Sequence, residues 1–217
     1  MRSLVIGALL LLAAAPAASA APRVTLDVSP RETRYRDATT LAGTVTDAGV
    51  PVAGVEVVLE GREYPFAGAF EELGRVVTDA KGEFLLERRL DRNASVRVVT
   101  ADAASPRERA YVFPRPDLRF KALNPRVIRL TQRYRVPRDV RLDRPTQFYV
   151  GPPGKPSAPR AAVADVRRTR PGRFISTAVV RIPSAWEGRF RYASCFRYTP
   201  GSGMGDPRAK CPRRFRF

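Results

Sequence analysis

Two cysteines, Cys195 and Cys211, and the absence of histidine limit the chemistry open to this 217-residue chain. Without an imidazole there is no Ser-His-Asp triad, no histidine acid or base, and little means of building a zinc or iron site. Two thiols fall short of a four-cysteine metal site. Catalysis would then need paired carboxylates, a Ser/Lys dyad or a cysteine nucleophile. Glu71-Glu72 are adjacent in a polar stretch, where neighbouring carboxylates are solvated rather than set across a glycosidic bond. No S-x-x-K or G-x-S-x-G occurs. Gly201-Ser202-Gly203-Met204-Gly205 lacks the Lys-Ser/Thr of a phosphate loop and is expected to form a disulfide-closed surface loop. Asn93-Ala94-Ser95 fits a glycosylation sequon, a three-residue match that chance also supplies. No catalytic residue, metal ligand or cofactor is assigned, and the chain is expected not to be an enzyme.

The first twenty residues bear on the cysteines. Met1-Arg2-Ser3 supplies a positive start, Leu4 to Ala14 an apolar core, and Ala18-Ser19-Ala20 a small-residue cleavage site, the pattern of a secretory signal peptide over residues 1–20. A transmembrane anchor needs about 20 apolar residues, roughly twice this core. The expected product is secreted, with no transmembrane insertion. In an oxidising compartment Cys195 and Cys211 are expected to close a disulfide, stabilising the fold by about 3 kcal/mol in the chain-entropy model. The alternative is a pair of metal thiolates or a redox pair, for which neither a ligand cluster nor C-x-x-C spacing is present.

Charge is the other chemical resource. Lys and Arg total 39, of which only Lys81, Lys121, Lys155 and Lys210 are lysine, so the chain favours the planar donor that grips carboxylates and phosphates two-pronged. The distribution is uneven. Residues 21–112 carry 13 basic and 15 acidic groups, whereas residues 113–217 carry 25 basic and 6 acidic groups. Contact with an anionic cell-surface polymer or polysaccharide is the functional expectation. The alternative is that arginine merely supplies solvating charge. No helix-turn-helix, zinc-finger or RRM signature supports specific nucleic-acid binding.

The elements that position these residues are expected to be strands. Short β-branched and aromatic runs punctuated by Gly, Pro and Asp recur every ten or so residues, and helix-length periodicity is absent after the leader. The fold class expected is all-β, two consecutive Ig-like or prealbumin-like β-sandwiches, over residues 21–113 and 114–217. The boundary is placed at Phe113-Pro114-Arg115-Pro116, where two prolines interrupt ladder hydrogen bonding. Seven strands are expected in the first half, around Val24–Val28, Leu41–Thr46, Val52–Leu59, Val76–Thr78, Phe84–Leu86, Val96–Val99 and Ala110–Phe113.

Gly43-Thr44-Val45-Thr46-Asp47, Gly49-Val50-Pro51-Val52-Ala53-Gly54-Val55-Glu56-Val57 and Thr78-Asp79-Ala80-Lys81-Gly82-Glu83-Phe84 together resemble the carboxypeptidase regulatory-like (transthyretin-like) and related bacterial Ig-like domains over about residues 38–100. The resemblance implies a non-catalytic sandwich module of exported proteins. In physical terms the motif is turn chemistry: Asp47 and Asp79 can cap turns in which Gly49 and Gly82 take positive φ. The segment Gly61–Gly74 is longer than the family pattern, and its Tyr64, Phe66 and Phe70 are either a binding tip or packing over a sandwich edge.

In the second half, strands are expected over 126–131, 147–150, 161–166, 174–182, 189–198 and 213–217. Phe190, Tyr192, Phe196 and Tyr198 alternate with Arg189, Arg191, Cys195 and Arg197, and Phe215 and Phe217 with Arg214 and Arg216. If these two segments pair, an arginine-covered face backs onto an aromatic core that Phe174, Ala178, Val180 and Ile182 join, with Arg173 and Arg181 outside. The anion-binding residues expected are therefore Arg173, Arg181, Arg189, Arg191, Arg197, Arg214 and Arg216. Trp186, at a sandwich end, is either a core plug or an exposed stacking platform. The whole is expected to be a secreted binding or structural module. The alternatives are an accessory or hydrolytic enzyme acting on an extracellular polymer, and a passive spacer.

Overall fold

The computed structural model describes residues 21–186, 189–196 and 199–216. The expected leader, Arg197, Tyr198 and Phe217 lie outside the described residues. The fold is all-β, with one 3-10 turn among the described residues, at Ser184–Trp186.

The first half holds β1 (Arg23–Val24), β2 (Asp27–Ser29), β3 (Glu32–Arg34), β4 (Ala38–Asp47), β5 (Val50–Pro51), β6 (Glu56–Glu63), β7 (Glu71–Val77), β8 (Glu83–Arg89), β9 (Ala94–Val99) and β10 (Glu108–Phe113). One sheet gathers β1, β2, β5 and β8 around the long β4, and the other runs β3-β10-β9-β6-β7. Leu41 and Val45 from the first sheet meet Val57, Leu59, Val96, Val98 and Val112 from the second in a shared buried core.

The second half holds β11 (Arg115–Asn124), β12 (Val127–Arg135), β13 (Thr146–Gly151), β14 (Ser157–Ala164), β15 (Arg167–Arg170), β16 (Arg173–Arg181), β17 (Arg191–Phe196) and β18 (Arg214–Arg216). These form two four-stranded sheets, β11-β12-β16-β15 and β17-β13-β14-β18. Ile128, Leu130, Phe148, Val150, Ala178, Val180 and Ile182 fill the space between them. Trp186 packs half-buried against this core, as a plug would.

The motif turns act largely through local bonds. The Asp79 carboxylate accepts from the N–H groups of Lys81 and Glu83 at 2.8 and 2.9 Å, and Gly82 takes φ 70°. Thr78 Oγ1 donates to Val52 O at 2.8 Å and accepts from Val55 N–H at 2.9 Å, tying the two motif segments together. The turn after β4 differs from expectation. Ala48 (φ 48°) and Gly49 (φ 84°) form it by backbone conformation alone, in the pattern of a tight hairpin turn, and no side-chain bond from Asp47 is seen among the described residues.

Four further expectations are corrected. First, β11 and β15 are strands where none was expected. Second, β17 and β18 do not pair: they form opposite edges of one sheet, separated by β13 and β14. The Cys195–Cys211 disulfide does form, at 2.15 Å. It draws the chain before β18 over the outer face of that sheet, where the Tyr149 hydroxyl donates to Pro212 O at 2.6 Å and Phe215 covers the Tyr149 ring. Third, the glycine-rich loop is not a surface loop. Ser202 to Gly205 are buried, Met204 to 1%, in the core of the first half. Fourth, Asn93 is only 4% exposed, so the sequon is not open to a glycan; its main-chain N–H donates to Gly203 O at 2.7 Å.

No strand of β1–β10 pairs with β11–β18, yet the halves share a core. Tyr134, Val136, Val140, Leu142 and Phe174 belong to the same buried cluster as Leu41 and Val112. Ion pairs Arg92–Asp139 and Arg115–Asp37 cross between the halves at its rim.

Candidate anion-binding face

Strand β12 alternates strictly: Ile128, Leu130, Gln132 and Tyr134 are buried, while Arg129, Arg133 and Arg135 are exposed. Burying one face of the strand forces its arginines onto the other. Pairing then sets them against more of their kind. Arg135 stands opposite Arg115 of β11 and Arg173 of β16, and Arg173 stands opposite Arg170 of β15. A single rung crossing all four strands is thus Arg115, Arg135, Arg173 and Arg170. Neighbouring strands are about 4.8 Å apart, and residues directly opposite share a face. The next rung holds Asp117, Arg133, Ile175 and Arg167, and a further one Lys121, Arg129 and Val179.

The rung ends in a tight hairpin, Arg170-Pro171-Gly172-Arg173. Gly172 takes φ 69° and its carbonyl accepts from Val136 N–H at 3.1 Å. A Cβ at Gly172 would come 2.6 Å from Val136 O. Proline followed by a glycine at positive φ is the sequence that such a turn requires, and it places Arg170 and Arg173 side by side. From the first half, the turn after β3 contributes Tyr35 and Arg36; Arg36 has φ 76° and its guanidinium lies 5.4 Å from the Tyr35 ring centre. Arg36, Arg135, Arg138, Arg170 and Arg173 border one cavity of about 500 Å³. A second, of about 470 Å³, extends along the sheet past Arg115, Arg119 and Arg133.

Carboxylates are scarce here. Asp37 pairs with Arg115, and Asp117 with Arg119 at 3.1 Å. Among the described residues, no carboxylate forms an ion pair with Arg133, Arg135, Arg170 or Arg173. Desolvation first, and then the positive charges of Arg135, Arg170 and Arg36, hold the Arg173 guanidinium below its ordinary pKa.

The expected arginines are scattered. Arg173 lies in the four-arginine rung. Arg181 shares its face but stands at the far end of β16, opposite Val127. Arg191 belongs to β17 and Arg189 precedes it, on the other sheet, whereas Arg214 and Arg216 flank Phe215 on the edge strand β18. Sequence reasoning missed Arg36, Arg115, Arg133, Arg135 and Arg170. The period-two arginines of 129–135 and the Pro-Gly hairpin between Arg170 and Arg173 were available signals.

The Gly61–Gly74 aromatics fold back onto the first half. The guanidiniums of Arg62, Arg97 and Arg107 lie 4.3–5.4 Å from the Phe70 ring centre, and that of Arg109 lies 3.9 Å from Phe66. Of the adjacent acids, Glu72 is engaged by Arg75 through bonds of 3.0 and 2.7 Å, which hold its carboxyl below the usual range. No group of three Cys, Asp or Glu side chains gathers as metal ligands among the described residues.

No protein-family model and no curated protein matches the chain. Among solved structures it is similar to trypsin-activated alpha-2-macroglobulin from Escherichia coli, with 14% identity and a TM-score of 0.34 over 83% of this chain and 15% of that one. It is also similar to the adhesin InvE of Yersinia pseudotuberculosis, with 17% identity and a TM-score of 0.35 over 81% of this chain and 59% of that one. Neither likeness bears on function.

Proposed function

We propose that the chain is an exported, non-enzymatic binding module whose second half takes up an anionic polymer of the cell exterior on the outer face of β11-β12-β16-β15. The observation that carries this is the cross-strand rung Arg115–Arg135–Arg173–Arg170. Like charges directly opposite one another destabilise a sheet, so the rung is a cost to folding that an external polyanion relieves. The remaining arginines, including Arg181, Arg189, Arg191, Arg214 and Arg216, add to the positive field that steers such a polymer inward. The disulfide supports an oxidising compartment. The Thr78, Asp79 and Gly82 geometry supports a carboxypeptidase regulatory-like first half.

The test is retention of the full chain on immobilised polyanions and on neutral polymers across a salt series. Retention on polyanions alone is expected, weakening steeply with salt. Arg135→Gln with Arg173→Gln should release the chain at lower salt than Arg214→Gln with Arg216→Gln does. No retention at moderate ionic strength would overturn the proposal and leave the arginines as solvating charge.

A further inference from the structure

The cavity between the β3–β4 turn and the β15–β16 hairpin is more specific than a charged face. We infer that it is a binding pocket for a phosphomonoester dianion, an inference that rests on the anion-binding reading above and narrows it to one group.

Arg36, Arg135, Arg138, Arg170 and Arg173 border the same space of about 500 Å³. They come from four places in the chain: the β3–β4 turn, the end of β12, the loop after it, and the β15–β16 hairpin. Their convergence is therefore a product of the fold and not of a local charge run. Asp37, the neighbouring acid on the first half, is engaged by Arg115. A carboxylate brings one charge and two oxygens to such a site. A phosphomonoester brings nearly two charges and three acceptor oxygens, which can engage several guanidinium forks at once. Arg36 adopts the left-handed conformation at φ 76°, a strained placement of the kind that collects at ligand clamps. Arg138 has its main-chain carbonyl fixed by Arg168 Nη2 at 3.2 Å.

The protein itself gives the experiment a clean background. No histidine occurs in the chain, and the titratable side chains lining the cavity are Tyr35 and the arginines Arg36, Arg135, Arg138, Arg170 and Arg173, residue types that ordinarily ionise outside pH 5.5–7.5. A phosphomonoester changes charge within that range, since its second ionisation falls near pH 6.

Calorimetric titration of the full chain with phenyl phosphate, inorganic phosphate and acetate tests the inference. Both phosphates should bind at least tenfold more tightly than acetate at pH 7.5, and weaken at pH 5.5. Arg170→Gln and Arg173→Gln should each weaken phosphate binding about tenfold, while Arg23→Gln, exposed on β1 of the first half and outside the cavity lining, should leave it unchanged. Pelleting with vesicles containing phosphatidic acid, but not phosphatidylserine, would assign the phosphate to a lipid headgroup. Phosphate binding without pelleting would assign it to a soluble or polymer-borne ester. Equal affinity for acetate and phosphate, or undiminished phosphate binding in correctly melting Arg173→Gln protein, would overturn the pocket. Polyanion retention that persists in that case leaves the broader face standing, and its loss removes both.

Discussion

The side-chain amide of Asn93 donates to the carbonyl of Gly205 at 2.7 Å, while its Oδ1 accepts from the main-chain N–H of Val112 at 2.8 Å. The Gly205 N–H in turn donates to Val112 O at 2.8 Å. One buried side chain thus ties the end of β10 to a loop that lies 112 positions beyond Asn93 itself. Replacing Asn93 with Ala leaves a buried N–H and a buried C=O without their partner. Each unmet group costs roughly 1–3 kcal/mol, so Asn93→Ala is expected to lose about 2–6 kcal/mol, read as a fall in the urea midpoint at constant slope. A loss under about 1 kcal/mol would mean water replaces the amide. Expression in a glycosylating host should give no mass increase at this residue in folded protein.

The same loop hangs from the disulfide. Cys195 and Cys211 enclose the segment that carries Met204 into the first half's core and lead into the chain that covers Tyr149. Opening the bridge frees that loop in the unfolded state at a cost of about 3 kcal/mol, which for a chain of this size corresponds to a fall of about 6–12 °C in Tm. Comparing melts with and without reductant, alongside the Cys195→Ala/Cys211→Ala double variant, checks this. Because Met204 lies in the shared core, both halves should lose protection from hydrogen exchange. Protection lost in the second half alone would show that the loop does not join them.

How legible such features were depended on their reach along the chain. The Thr78–Phe84 turn was readable because the Asp79 bonds close within four residues. The inward residues of β16, Phe174, Ala178 and Val180, were readable because alternation is local. Asn93 was not, since nothing near it signals a partner 112 positions away. Strand β11 was missed because, as an exposed edge strand, it lacks an apolar period and carries Pro116, which an edge tolerates. The rung escaped notice for a related reason: each arginine is visible, but the register that sets Arg115 opposite Arg135 is a property of the assembled sheet.

Two glycines of the first half separate steric from conformational cost. At Gly49 a Cβ would meet nothing within 4 Å, and only its φ of 84° opposes substitution. At Gly43 a Cβ would lie 2.1 Å from Thr25 O and 2.6 Å from the Phe84 ring. Gly49→Ala should therefore cost about 1–2 kcal/mol. Gly43→Ala should cost more, about 3 kcal/mol or loss of the folded state, because a main-chain carbonyl must move. Chemical denaturation of both variants checks the order, and equal losses would show that the link between β1 and β2 at Thr25 yields freely.

The arginine rung makes a prediction of opposite sign to most substitutions in a folded protein. Arg135 faces Arg115 on one side and Arg173 on the other, and only Arg115 has a carboxylate partner. Like-charge neighbours across strands cost on the order of 0.2–1 kcal/mol each. Neutralising the middle charge should remove that cost without disturbing the core, because the buried face of β12 is carried by Ile128, Leu130, Gln132 and Tyr134. Arg135→Gln is expected to be more stable than the parent chain by roughly 0.5–1 kcal/mol at low salt. The gain should shrink as salt screens the repulsion in the parent. A stabilised variant that also elutes earlier from a polyanion column would show stability given up for binding. Lower stability at every salt concentration would instead mean that the Arg135 stem supplies packing that outweighs its charge.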